Sequence, residues 1–208
     1  MRRDVMSSAL AVVVLTIVLG IAYPLVVTGI SQVAWPNRAN GSRIVVDGRV
    51  VGSELIAQPF VIDTGRQDAE GNAVTEPDPK YFQPRPSATG YDPAGTSFSN
   101  RGPNQSSARD FYRDRLAAYL ELERPYDRGL QARDVPVDAV TTSASGVDPH
   151  ISKANAAIQA RRVAAVRRLP LARVRDLIAA HTDGRALGVL GEPGVDVTTL
   201  NLALDGRP

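Results

Sequence analysis

Ala9-Leu10-Ala11-Val12-Val13-Val14-Leu15-Thr16-Ile17-Val18-Leu19-Gly20-Ile21-Ala22-Tyr23-Pro24-Leu25-Val26-Val27-Thr28-Gly29-Ile30 is an uninterrupted apolar run of 22 residues. At about 1.5 Å of rise per residue, a helix of that length covers roughly 33 Å, enough to cross a bilayer core. A single span in lipid must satisfy its own backbone hydrogen bonds, so the run is expected as a helix. No other stretch of the sequence approaches it. A secretory signal peptide starts in the same way, with Arg2 and Arg3 ahead of the apolar residues. The run is too long for that, and Gln32 breaks the small-x-small pattern that would end at Ala34. An uncleaved transmembrane anchor over 9–30 is therefore expected.

The flanks orient it. Arg2 and Arg3 precede the run, and no positive charge follows it until Arg38. Residues 1–8 are thus expected in the cytoplasm and residues 31–208 outside, in a single-pass plasma-membrane protein. Trp35 lies where an interfacial aromatic belongs. The exported part is long enough for one domain with a substantial core. It has no cysteine, so no disulfide supports it. Twenty-four Lys and Arg against 22 Asp and Glu leave a net charge of +2, too little to argue for nucleic acid.

Ile44-Val45-Val46-Asp47-Gly48-Arg49-Val50-Val51 is a hairpin signal, with Asp-Gly as the tight turn between β-branched runs. From Pro59 to Asn104 the chain is dense in Pro, Gly, Asn and Ser, which predicts a long loop. Ser107 and Asp110 form a helix start ahead of Tyr112, Leu116, Tyr119 and Leu120 on one face, and Pro125 ends that helix. Val135 to Thr142 is a strand candidate. A second helix is expected from an N-cap at Ser152 to about Arg168. A third has Pro170 in its first turn, shares Val174, Leu177, Ile178 and His181 on one face, and ends at Gly184. Ala186 to Leu190 and Val195 to Leu204 read as closing strands. The sum is an α+β domain behind one transmembrane helix.

An enzyme is not expected. The histidines are His150 and His181, there is no G-x-S-x-G elbow, no G-x-x-x-x-G-K-[ST] phosphate loop, and no cysteine nucleophile. Asp148 and His150 could supply two metal ligands where a site needs three or four. They are simpler as an Asp-Pro-His turn capping the helix that starts at Ser152. The Arg161-Arg162 and Arg167-Arg168 pairs read as solvated helix faces, His181 as a helix-end residue, and Arg85, between two prolines, as bonding carbonyls of its own loop. A T-V-G-Y-G filter is also missing.

Three stretches carry a resemblance. The first comprises Gly52-Ser53-Glu54-Leu55-Ile56-Ala57-Gln58, then Tyr81-Phe82-Gln83-Pro84-Arg85-Pro86-Ser87-Ala88 and Ser99-Asn100. The second is Ser143-Ala144-Ser145-Gly146-Val147-Asp148-Pro149-His150-Ile151-Ser152, with Gln159 and Arg162-Val163-Ala164. The third is Leu190-Gly191-Glu192-Pro193 with Leu200-Asn201-Leu202-Ala203-Leu204-Asp205. In this order, and behind the anchor, they resemble the C subunit of the Kdp potassium-transporting P-type ATPase over nearly the whole chain. The departures are Ala144 where that family has a glycine, Asp196 where Asn is usual, and Val61 to Lys80, which looks like a polar insertion.

The resemblance implies a noncatalytic subunit of an ATP-driven potassium uptake complex with no cofactor of its own. Its implied partners are a channel-like potassium-translocating subunit, a P-type catalytic subunit that holds the ATP, and a small single-span subunit. The family is described as a catalytic chaperone that raises the ATP affinity of the catalytic subunit, and Gln159 is the residue connected with that idea. The expected partner contacts are Gly20, Pro24, Asp148, Pro149, His150, Gln159 and Arg162. Thr16, Gly20, Pro24 and Thr28 recur every fourth residue and give a partner helix close access. A membrane-tethered binding protein outside any transporter is the alternative.

Overall fold

Proline 24 shapes the membrane helix from within. The computed structural model of the chain describes all residues except Pro103 and Pro208. It falls into a first unit, Met1–Arg43, and a second from Ile44 onward. The first is dominated by α1 (Arg2–Ala34), a helix long and apolar enough to cross a membrane. Pro24 has no N–H to offer the carbonyl of Gly20, and its ring crowds the turn before it. The ladder responds by widening: Val18–Ala22 is a π-turn in which the Tyr23 N–H donates to the Val18 carbonyl. The helix ends at Trp35, which is non-helical because Pro36 follows it. A single turn, α2 (Pro36–Ala39), comes next. The amides of Gln32 and Asn40 then bond each other reciprocally at 3.2 and 3.1 Å, closing the corner.

The expected hairpin forms from β1 (Arg43–Val46) and β2 (Arg49–Ser53), turning on Asp47 and Gly48. Both turn residues have positive φ, 51° and 76°, as a two-residue hairpin turn with right-handed strand twist requires. The stretch read as loop is different. Val61–Gln67 (β3) and Ala73–Pro77 (β4) pair antiparallel, with a bulge between Asp63 and Arg66. Its polar composition does not prevent order because polar side chains hold the turns: the Asp68 carboxylate accepts from the backbone N–H groups of Glu70 and Asn72.

Helix α3 (Ser106–Glu123) follows, stopped ahead of Pro125. Its start lacks the expected Ser107 cap; the N-cap position is Gln105, which makes no capping side-chain bond. Val135 to Thr142 is not a strand, since Pro136 initiates a short 3₁₀ turn at Val137–Ala139. Helix α4 (Lys153–Arg167) matches the expectation closely, with the Ser152 hydroxyl accepting from Asn155 N–H and Arg168 left-handed at the C-cap. Helix α5 (Leu171–Ala180) begins after Pro170 and ends at His181.

The closing strands are mostly something else. Ala186 to Leu190 is a tight loop in which Leu187 and Gly188 have φ of 54° and 78°, values no strand accommodates. Arg185 and Glu192 pair across its base. Only Gly194–Asp196 (β7) is extended, between β5 (His150–Ile151) and β6 (Thr182–Asp183) in an antiparallel three-stranded sheet. Asp196 then caps α6 (Val197–Leu204), its carboxylate accepting from Thr199 N–H at 3.0 Å. A spacing of four, Leu200 to Leu204, suits a helix as well as a strand, and the cap decides between them.

The core forms where α4 crosses this sheet. Ala156, Ala160, Val163 and Ala164 face Phe82, Ile151, Val174, Val195, Val197 and Leu200, all buried. Alanine on the facing stripe lets the helix approach closely, and burying the larger apolar side chains contributes about 1.5–3 kcal/mol each. The fold class is α+β.

Candidate functional site

The Asp148 to Arg162 block is built on strand β5, the Ser152 cap and the first three turns of α4. Its cap is not the Asp-Pro-His turn. Asp138, in the 3₁₀ segment, accepts from Ser152 N–H at 2.8 Å, the Ser152 hydroxyl at 2.7 Å and the Asn155 amide at 3.0 Å. Ahead of the block, Gly146 sits at φ +77°, where a Cβ would lie 2.7 Å from the Thr89 hydroxyl; only glycine fits this crossing.

Asp148 and His150 belong to a half-exposed charged cluster. The His150 Nε2 lies 2.9 Å from Asp183 and its Nδ1 3.5 Å from Asp148. The hydrogen bond to Asp148, helped by Asp183 and the charge of Asp196, lifts the imidazole to about 9. At neutral pH the ring is therefore a cation, donating from Nε2 to Asp183 and ion-paired through Nδ1 with Asp148. Burial pushes Asp148 upward, but the bonds from His150 and the charge of Arg85 outweigh it and leave the carboxyl below its ordinary value. Arg85 reaches outside its own loop, to the Thr142 carbonyl at 3.1 Å and to Asp148 at 3.5 Å. Pro149 is buried, and its carbonyl accepts from Val197 N–H.

Gln159 and Arg162 are not on a solvated face. They are 1% and 0% exposed. The Gln159 amide pairs with Gln83 in both senses, accepting from its N–H at 2.7 Å and donating to its carbonyl at 3.1 Å. The same amide donates to Asn155 and accepts from Arg162. Asn201 of α6 treats Phe82 likewise, at 2.9 Å each way. Two primary amides thus stand in for a neighbouring strand along Phe82-Gln83. Arg162 bonds Glu123 on α3 at 2.9 Å and the carbonyls of Pro79 and Tyr81 at 2.6 and 2.9 Å. Arg167, also read as solvated, bonds Asp205 at 2.8 Å with its guanidinium over Tyr81. Arg161 is half-exposed and pairs with Asp127.

Sequence reasoning missed Glu123, Asp138, Gln83 and Asn201 as members of this framework. Their partners lie 14 to 119 residues away. No local spacing marks them. His181, as expected, closes a helix, and its Nδ1 also meets the Thr199 hydroxyl at 3.0 Å. Among the described residues, no group of three or more potential ligands could hold a metal ion. In the first unit, Gly20 lies inside the π-turn and Pro24 just after it, and a Cβ on Gly20 would touch only Thr16 at 3.9 Å.

One long apolar helix and a small α+β domain knit together by buried amides and ion pairs define a class: a single-span chain whose polar chemistry is largely spent on its own framework. The family model described as "K+-transporting ATPase, c chain" matches residues 5–206. The chain belongs to this family, KdpC. It is 41% identical to the potassium-transporting ATPase KdpC subunit of Koribacter versatilis over 208 residues, covering 99% of this chain and 96% of the relative. To that of Methylococcus capsulatus it is 46% identical, with 94% of each covered. To that of Mycobacterium tuberculosis it is 42% identical, with 99% of each covered.

Proposed function

We propose that this chain is a noncatalytic subunit of a high-affinity ATP-driven potassium uptake complex, needed for its assembly, with its N-terminus in the cytoplasm and its α+β domain outside. It raises the ATP affinity of the P-type catalytic subunit through subunit contact, and ATP is held by that subunit alone. The observation that carries this reading is the condition of Gln159. Both atoms of its amide are already hydrogen-bonded inside the domain, so a nucleotide could engage it only by breaking the Gln83 and Arg162 bonds. Gln159 and Arg162 act by holding the segment that precedes Arg85, while Asp148 and His150 offer charge at the surface. In the membrane, Gly20 and Pro24 give a neighbouring helix close approach. The partners are the channel-like subunit, the catalytic subunit and a small single-span subunit.

The test has three parts. The full chain in detergent is titrated with ATP, a cysteine placed at Gln67 is labelled by a membrane-impermeant reagent in intact cells, and Gly20→Leu and Asp148→Ala are scored for copurifying subunits. The reading expects no saturable ATP binding, full labelling, and loss of partners from both variants. Saturable binding abolished by Gln159→Ala, or protection of the cysteine, would overturn it.

A further inference from the structure

A cleft of about 180 Å³ opens between α3, the Pro77 to Tyr91 segment and α4. Six of its lining residues are apolar: Pro77, Pro84, Pro86, Ala118, Leu122 and Ala139. The polar ones are nearly all committed. Gln83, Asn155 and Gln159 bond one another, the Tyr119 hydroxyl donates to Asn155, and the Tyr91 hydroxyl donates to the Arg85 carbonyl. Arg115 is the exception. Its Nε is sealed from water without an acceptor, and its guanidinium forms no ion pair among the described residues. Its guanidinium stacks on the Phe111 ring, 4.5 Å from the ring centre, and shares that ring with another cation, Arg101, at 4.4 Å. Elsewhere in the domain Arg85, Arg161, Arg162 and Arg167 each have a carboxylate. A partly desolvated cation beside a like charge and without a counter-ion is a costly arrangement. Burial and Arg101 accordingly push the guanidinium below its ordinary value.

We propose that this cleft receives one carboxylate side chain, Glu or Asp, from a partner polypeptide, with its stem against Pro84, Pro86 and Leu122 and its carboxylate on Arg115. The size argues for a side chain: the cleft holds about six waters' worth of volume at about 30 Å³ each, and whole small-molecule sites run from roughly 300 Å³ upward. The walls argue for a carboxylate over a phosphate, because a phosphate wants several donors and only one guanidinium lines the cleft. The proposal rests on the reading of this chain as a subunit.

The test uses the full chain in detergent and the assembled complex. Glutarate, a mimic of the glutamate side chain, should raise the melting temperature of the wild-type chain, and glycerophosphate should not. Arg115→Met should abolish the glutarate effect, melt close to wild type because the guanidinium has no carboxylate to lose and only the Phe111 ring as a partner, and retain at least tenfold less of the other subunits. Arg115→Lys should retain an intermediate amount. Ala118→Trp fills the cleft with the charge intact and should lose partners to the same degree. Full retention of partners by both Arg115→Met and Ala118→Trp overturns the proposal, as does a marked drop in the melting temperature of Arg115→Met. Protection by glycerophosphate in place of glutarate overturns it too, and assigns the cleft to a lipid or other phosphate. If the wild-type chain copurifies with nothing, the subunit reading fails, while the glutarate titration still decides the carboxylate site.

Discussion

Replacing Arg162 by Met removes the cation that joins α3, the Pro79 to Tyr81 segment and α4. The side chain is fully buried and makes hydrogen bonds to Glu123, Pro79, Tyr81 and Gln159. Methionine replaces much of the volume but none of the donors. Breaking a buried pair from one side costs about 3–5 kcal/mol, because the remaining charge is left uncompensated. That is a large share of the roughly 5–15 kcal/mol that holds a domain folded. The loss must also depend on pH. Burial raises the Glu123 carboxyl, and Arg162 opposes that rise. With Arg162 gone, the folded-state value climbs further above the unfolded value of about 4.3. A carboxyl raised on folding carries no penalty below its unfolded value, and its penalty grows as pH rises toward the folded value. Urea unfolding of the full chain in detergent, followed by circular dichroism, should therefore show a smaller loss at pH 5 than at pH 8. Glu123→Gln in the Arg162→Met background should recover part of the loss at pH 8. A loss below about 1 kcal/mol, or one independent of pH, would refute the account of this pair.

Asp138→Ala strips three hydrogen bonds from the start of α4 and should cost about 1–2 kcal/mol in the same assay, whereas Asp148→Ala should leave that helix start intact. Protonated His150 stabilises the fold fully below about 6.5, and this contribution fades as pH rises toward about 9. The gap is worth roughly 3 kcal/mol at about 1.36 per pH unit, cut to about 1 by solvent screening of a side chain one-third exposed; His150→Gln should flatten the stability profile between pH 6 and 9.5. Excising Gln67 to Thr75 removes mostly exposed residues of the β3–β4 hairpin and should leave expression and potassium uptake near wild type, with a collapse of either showing that the hairpin is needed.

Elements with local signatures were legible in the sequence: the apolar span, the Asp47-Gly48 turn, and the Ser152 cap with the helix that follows it to about Arg168. Each depends on residues within one or two turns of each other. The mistakes fall where local signals are degenerate. Leu200, Leu202 and Leu204 fit a strand until Asp196 is seen to cap a helix, and the polar residues around Asp68 read as a loop insertion although they tie a hairpin turn together. The charged residues of α4 were misjudged for a deeper reason. Nothing in Arg161-Arg162-Val163 tells which arginine points inward; that depends on Glu123 and Pro79, 39 and 83 residues away. Gln159 was singled out by resemblance, and its structural partner Gln83 came from a separate stretch of the same resemblance, so the pairing itself became visible only in three dimensions.

Phe82 and Gln83 lie in a segment without helix or strand, yet their amide protons are held by the side chains of Asn201 and Gln159. Those amides are fixed in turn by α6 and α4, so the segment cannot fray alone. Its exchange with solvent has to wait for the helices themselves to open. An irregular stretch of chain is thereby drawn into the slowest-exchanging unit of the domain, and hydrogen exchange would rank it with the core helices although its backbone has the look of a loop.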